Sequence, residues 1–395
     1  MRPRNATCYD LRIVHGTLHI APHLAAIADA TVVLSGGRIE SISEGSTSGV
    51  ATESQGPSLD PCVVDAEGRF VLAGFWNSHV HHTDPALNDD DQASKIVGEM
   101  FAHFGFTSVV DTGADPQLLA SLGRQIESGQ IAGPHIVAAG GSFVYQDGTP
   151  SYLPRGLLPE ITTPDQAPAE VARVLGLGAE GIKIFSGSFQ SPTETIHLPL
   201  EVIAAIAASA HERGAFVVSH PTDQIGLELA VNGGVDVLAH TTPTSGEWEA
   251  ELVQRMITNR VALIPTLKLW RWELEGAGVP PAAINAYVAT AIAQLKRFHQ
   301  AGGEVLFGTD VGYMRDFDTA EEFALMQRAG MGFDDILMAL TTNPALRFGD
   351  SPGTLIVGAP ADLVILDGDP VADARAFASV FVTIRGGKVQ YRQSR

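Results

Sequence analysis

Cysteine is nearly absent from this chain. Cys8 and Cys62 are the only two in 395 residues, too few for a disulfide framework or a zinc ribbon. No stretch approaches the ~18 uninterrupted apolar residues of a membrane span, so none is expected. Basic residues are scarce: 25 Lys+Arg face 45 Asp+Glu, a formal charge of −20. Such a chain lacks the positive footprint of a binder of nucleic acid or anionic membrane, and neither partner is expected. Behind Met1-Arg2-Pro3-Arg4-Asn5-Ala6-Thr7-Cys8 there is no apolar h-region. A secretory signal is therefore not expected, and a soluble cytoplasmic protein is. Apolar material is plentiful, at 45% hydrophobic against 18% charged residues, which excludes intrinsic disorder for the bulk of the chain.

The two ends are alike in kind. Leu11-Arg12-Ile13-Val14, Thr31-Val32-Val33-Leu34 and Arg38-Ile39-Glu40-Ser41-Ile42 are strand-like runs, the last two separated by Gly36-Gly37. Asp362-Leu363-Val364-Ile365-Leu366 and the hairpin around Gly386-Gly387 repeat the style. The Ser/Gly/Thr-rich segment 44–60 reads as a surface loop. The middle has another rhythm. Short apolar runs begin at Phe70, Thr107, His135, Gly181, Ala215, Val235, Val261 and Glu304, eight in all. Amphipathic segments such as 199–213, 285–301 and 319–330 lie between them. Buried strands alternating with helices predict an α/β fold, a (β/α)8 TIM barrel over 70–348. A small β-sandwich domain is expected from 1–69 together with 349–395.

In such a barrel, functional residues sit where strands end. Those ends carry His79-Val80-His81, Lys183, His220, His240 and Asp310. Side chains two apart in a strand share a side, so His79 and His81 can hold one cation. A lone histidine at a strand end is ordinarily a hydrogen-bonded structural residue. Four histidines and an aspartate at the strand ends of one barrel have no such simple explanation. They make a set of nitrogen and oxygen donors suited to zinc or a similar divalent ion. Lys183 sits inside the apolar run Gly181-Ile182-Lys183-Ile184-Phe185, where burying an ammonium is costly unless it is paired or neutralised. It is either salt-bridged across the barrel, or a neutral amine that reacts with carbon dioxide to give an anionic carbamate able to bridge two metals. Asp310 could ligate a metal, take a proton from water, or do both. His82 points away from His79 and His81 by strand alternation, and His103 and His211 lie on helices and receive no role. Cys8 and Cys62 fall in the terminal domain and are not expected to be nucleophiles.

With these residues in view, the chain resembles the metal-dependent amidohydrolase superfamily over nearly its whole length. The similarity rests on Ala73-Gly74-Phe75-Trp76-Asn77-Ser78-His79-Val80-His81 and Gly105-Phe106-Thr107-Ser108-Val109-Val110-Asp111. It continues in Gly181-Ile182-Lys183-Ile184, Val218-Ser219-His220, Val237-Leu238-Ala239-His240 and Gly308-Thr309-Asp310. Asn343-Pro344-Ala345 and Gly358-Ala359-Pro360-Ala361-Asp362-Leu363-Val364 complete it. The resemblance implies that His79, His81 and Asp310 hold one metal and that His220 and His240 hold a second. Lys183 would bridge both as a carbamate. Asn77 stands where the family commonly has Asp, and is not expected to be a ligand.

Two divalent ions, zinc foremost, would acidify one water for attack on a carbonyl carbon, with Asp310 carrying its proton to the leaving nitrogen. The style around Lys183 and Asp310 is most similar to peptidase-like members, which act on small substrates such as dipeptides, N-acyl amino acids and aryl amides. Tyr145 and Tyr152, in the loop 140–158, could reach the substrate, or could merely cover the barrel mouth. Lys268 could pair with a substrate carboxylate, or be an ordinary surface lysine, and Trp270 and Trp272 suggest an aromatic wall. A one-metal deaminase or cyclic-amide hydrolase would leave Lys183 idle. A lactonase or esterase would use the same ligands on an ester. A non-catalytic binding protein would ordinarily have lost ligands, and all six positions are filled. The resemblance also allows a homo-oligomer.

Overall fold

Apolar residues alternating along the two chain ends meet in one sheet. The structure, a computed structural model, describes residues 10–45, 62–349 and 351–394. Cys8, the N-terminal segment and nearly all of the expected 44–60 loop lie outside the described residues. Five strands come first: β1 Asp10–Leu18, β2 Ile27–Ser35, β3 Arg38–Glu44, β4 Val63–Asp65 and β5 Phe70–Ala73. The chain continues through β6 Phe75–Val80, β7 Phe106–Asp111, β8 His135–Phe143 and β9 Gly181–Phe185. A hairpin, β10 Gly187–Ser191 and β11 Glu194–His197, precedes β12 Phe216–His220, β13 Val237–Ala239 and β14 Ala262–Ile264. It closes with β15 Leu363–Leu366, β16 Val380–Arg385 and β17 Lys388–Arg392.

The terminal sheet has eight strands in the order β17-β16-β15-β5-β1-β2-β3, with β4 alongside β1. Gly36-Gly37 and Gly386-Gly387 turn its hairpins, all four at positive φ, which a two-residue primed turn requires. The run Phe70-Val71-Leu72, expected as the first barrel strand, belongs here. It is β5, parallel to β1 and antiparallel to β15. Its alternation serves two cores. Val71 and Ala73 pack with Ile13, Leu363 and Ile365, while Leu72 joins the barrel core with Val364 and Leu366. The first barrel strand is β6 instead.

The barrel sheet is seven parallel strands, β14-β13-β12-β9-β8-β7-β6. The expected eighth run is a bridging segment with little ladder of its own. Val305 pairs with Leu263 of β14 and Val311 with Val80 of β6, and Ser78 N donates to the Phe307 carbonyl at 2.7 Å. That segment nearly closes the ring and carries Asp310. The expected helices are present as Leu200–His211, Pro281–Gln300 and Ala320–Arg328. The first buries Val202, Ile203, Ile206, Ala207 and Ala210, one stripe at helical spacing. Two elements at the strand ends were not foreseen: the β10–β11 hairpin and a helix Leu267–Gly276 directly after β14. Among the described residues no helix is long and apolar enough to cross a membrane.

Phe307 locks the eighth segment into the core, its ring 5.7 Å from Phe106 and 4.6 Å from Phe323. Phe307→Ala is expected to cost ~3–5 kcal/mol, the transfer term plus the cavity. Denaturant unfolding of the variant checks this, and a loss under ~1 kcal/mol would mean that the segment is anchored elsewhere.

Candidate metal centre

Six polar side chains converge where the barrel strands end. His79 lies in β6 and His81 just beyond it, Lys183 in the middle of β9, His220 at the end of β12 and His240 just after β13. Asp310 sits on the bridging segment. Two glycines bring that segment against β6. A Cβ on Gly308 would meet Ile264 at 2.4 Å and His79 at 2.9 Å, and one on Gly312, at φ +102°, would lie 1.8 Å from the His81 carbonyl. His240 and Asp310 have φ of 75° and 66°, a left-handed backbone that non-glycine residues adopt at a cost. Such strain concentrates where a side chain must be aimed, and these two are aimed at each other.

His81 Nε2 lies 2.7 Å and His79 Nε2 3.3 Å from Asp310 Oδ1, and His240 Nε2 lies 3.9 Å from Asp310 Oδ2. One ligand atom from each of His79, His81 and Asp310 falls within a 4.8 Å group. The His240 ring is 4.8 Å from His79 and 4.7 Å from His220. Burial lowers His79 to about 4 and His220 to about 3, with the Lys183 charge adding to both. Burial, then the charge of His220, takes His240 well below its ordinary value. The neutral form is thereby favoured, in which each imidazole keeps one N–H and has one nitrogen lone pair free. Burial alone would raise Asp310, but His79 and His81 outweigh it and hold the carboxylate well below its usual range. Lys183 is 2% exposed, and no ion pair reaches its ammonium among the described residues. Burial brings it down to about 8, against the opposing pull of Asp310 and Asp111. The cross-barrel salt bridge is thus not the state of this lysine.

Neutral nitrogens around an ionised oxygen are what a divalent cation takes. Asp310 Oδ1 is buried without a well-formed hydrogen bond, an expense that a bound cation would offset. The residues present therefore fit a metal.

Supporting side chains fix the donors, and reading the sequence had missed them. Thr112 Oγ1 is 3.0 Å from His79 Nε2, and Thr266 Oγ1 is 2.6 Å from His240 Nδ1. Both threonines stand at strand ends, a positional signal that could have found them. Asn77 braces the Asp310 segment. Its Nδ2 donates to Thr309 Oγ1 at 2.7 Å, and its Oδ1 accepts from Thr309 N at 3.1 Å. His82 turns away, as expected, and its Nδ1 meets Asp111 Oδ2 at 2.9 Å.

The substrate candidates fare differently. Lys268 is neither a free cation nor a surface lysine. It is buried, its Nζ is 2.8 Å from Asp316 Oδ2, and it donates to the Asp318 carbonyl. Both partners stand on a loop that brings them back onto helix Leu267–Gly276. Tyr145 is half-buried against the main core. Tyr152 is 44% exposed at the mouth, its ring 5.6 Å from Tyr313. Desolvation of its hydroxyl raises it well above the usual phenol value, and the charge of Asp310 contributes. Trp270 edges His240 at 6.1 Å and donates to Thr241, and Trp272 edges Tyr313 at 5.7 Å. Cys62 is disulfide-bonded, which removes it as a nucleophile.

Glu273 stands beside these rings, and Tyr313 Oη donates to its Oε1 at 2.9 Å. Burial lifts this carboxyl to about 7; the phenol bond opposes the rise and the Asp310 charge adds to it. A raised carboxyl stabilises the fold below its ordinary value of 4.5, and that contribution is lost as pH rises through about 7. Glu273→Gln removes the titration. Relative to the parent, the variant should gain up to ~3 kcal/mol between about pH 5 and pH 8, read by denaturant unfolding at each pH. A difference that does not change with pH would mean that Glu273 is not a buried acid.

The profile of the amidohydrolase family matches residues 70–390. An uncharacterised protein of Mycobacterium tuberculosis is 28% identical over 247 residues, 60% of this chain and 64% of the relative. The match thus spans less than two thirds of that relative's length. Among solved structures, a Xaa-Pro dipeptidase with methionine in its active site aligns with a TM-score of 0.79 at 23% identity, covering 97% of this chain and 100% of that one. The Aspergillus niger ochratoxinase aligns at 0.76 and 19% identity, covering 97% and 96%. At these identities the likeness concerns the fold.

Proposed function

Since the chain belongs to the amidohydrolase family, we propose that it is a metal-dependent hydrolase of the C–N bond of a small amide, such as a dipeptide, an N-acyl amino acid or an aryl amide. The observation that carries this reading is the convergence of His79, His81, His240 and the ionised Asp310 at the end of a barrel. His79, His81 and Asp310 would hold one divalent ion, zinc by the character of the donors, and His220 and His240 a second. Lys183 would stand between them as a carbamate. Its neutral Nζ adds to the carbon of carbon dioxide, forming an N–C bond and releasing a proton. Burial favours that reaction by keeping the amine unprotonated nearer to neutral pH.

Bound ions would supply Lewis acidity, lowering the pKa of a water from ~15.7 toward neutrality. Asp310 receives that water's proton on its carboxylate as the water oxygen bonds to the carbonyl carbon. It then delivers the proton to the leaving nitrogen as the C–N bond breaks. Thr266, bonded to Nδ1, would hold the His240 ring with its Nε2 turned towards Asp310. Asn77, through Thr309, keeps Asp310 aimed. That one of the structural neighbours is a dipeptidase supports placing amides ahead of esters.

Matched amides and esters of dipeptides, N-acyl amino acids and aryl amines test the reading. Amide hydrolysis is expected, lost on chelation and restored by zinc. Hydrolysis that survives chelation, or hydrolysis of the esters alone, would overturn it.

A further inference from the structure

We propose that Glu273 and the rings of Tyr152, Trp272 and Tyr313 form a subsite at the barrel mouth for a positively charged amine of the substrate, selecting ammonium-bearing amides over carboxylate-bearing ones. This deepens the hydrolase reading and rests on it.

Two cations of the helix that carries Glu273 are already committed. Lys268 is held by Asp316, and Arg271 Nε lies 2.7 Å from Glu321 Oε1. Glu273, on the same helix, has a neutral partner in Tyr313. When Glu273 ionises, its negative charge has no cation partner among the described residues. A carboxylate walled by low-dielectric rings focuses a negative field, which attracts cations and repels anions. The rings add a second attraction. Tyr313 lies 5.6 Å from Tyr152 and 5.7 Å from Trp272, centroid to centroid, and the electron-rich faces of such rings bind ammonium groups. Desolvation makes the unpaired carboxylate costly, so a cation that neutralises it is bound more tightly than at an exposed acid.

The subsite is tied to the reacting centre through the backbone. Thr266, whose hydroxyl meets His240, immediately precedes the helix, and Glu273 follows seven residues later, about 10 Å along the axis. Tyr313 follows Asp310 by three residues. The recognised amine is thus separated from the scissile carbonyl by several bonds.

The test uses metal-loaded enzyme and three matched 4-nitroanilides: 4-aminobutyryl, pentanoyl and succinyl. A matching set carries the same charges on the amine side. In one of these sets the ammonium member should exceed both isosteres in kcat/KM by ten-fold or more. Glu273→Gln should lower the ammonium-to-neutral ratio at least ten-fold. Tyr313→Phe, which keeps the ring, should lower it less. A preference for the carboxylate member, or a ratio unchanged in Glu273→Gln, overturns the subsite. If no amide is turned over, the hydrolase reading fails, and benzyltrimethylammonium tests the subsite alone through tryptophan fluorescence. Saturable binding weakened ten-fold or more by Glu273→Gln supports it; equal affinity, or no saturation, overturns it.

Discussion

Asp310→Asn should leave the barrel folded and reduce kcat by about 10³-fold, the scale of a lost general acid–base step. The substitution is isosteric and keeps an oxygen facing His81 and His79. It removes the one ionised carboxylate among the converging side chains, and with it the acceptor for the proton of water. An amide neither takes that proton at neutral pH nor returns it to the leaving nitrogen. Steady-state kinetics and a thermal melt, run side by side, separate chemistry from folding. A variant that kept more than a tenth of the parent activity would show that Asp310 is not the proton carrier.

Lys183→Ala should lose one metal equivalent and about 10- to 100-fold in activity, the range seen when a metal's support is removed. The physical reason lies in its burial. An unpaired ammonium inside β9 is expensive, so this lysine does not stabilise the fold as a charge. The alanine variant should therefore fold, with a cavity where the side chain was. Formate, acetate or propionate can enter that cavity and supply the missing anionic oxygens, so millimolar amounts should restore part of the activity. Two metals per chain with full activity in the alanine variant would end the carbamate idea.

The converging side chains were legible because each stands in or directly after a run that marks a barrel strand: His79 and His81 with β6, Lys183 within β9, His220 and His240 with β12 and β13. Strand position is a local signal, and it survives without knowledge of the partners. The partners themselves are long-range. Asp316 lies 48 residues from the Lys268 it neutralises, and Glu273 lies 40 from Tyr313. Nothing in the spacing of either pair shows that a loop folds back onto a helix. The assignment of Phe70-Val71-Leu72 failed for a different reason. β5 and β6 follow each other with Gly74 alone between them, where a Cβ would lie 2.2 Å from Thr107 Oγ1. That close approach lets the chain leave one sheet and enter another within a single residue, and a hydrophobic pattern does not record it. The eighth barrel position was visible as a run but not as a bridging segment, because its pairing is set by Leu263 and Val80 rather than by its own residues.

Metal content per chain tests the central claim most directly. The protein is prepared with zinc and bicarbonate, freed of loosely bound ions, and measured by elemental mass spectrometry against protein concentration. Close to two equivalents is the expected result for a site built from His79, His81, Asp310, His220, His240 and a carbamate on Lys183. One equivalent or fewer would contradict the two-ion centre and return Lys183 to a structural role.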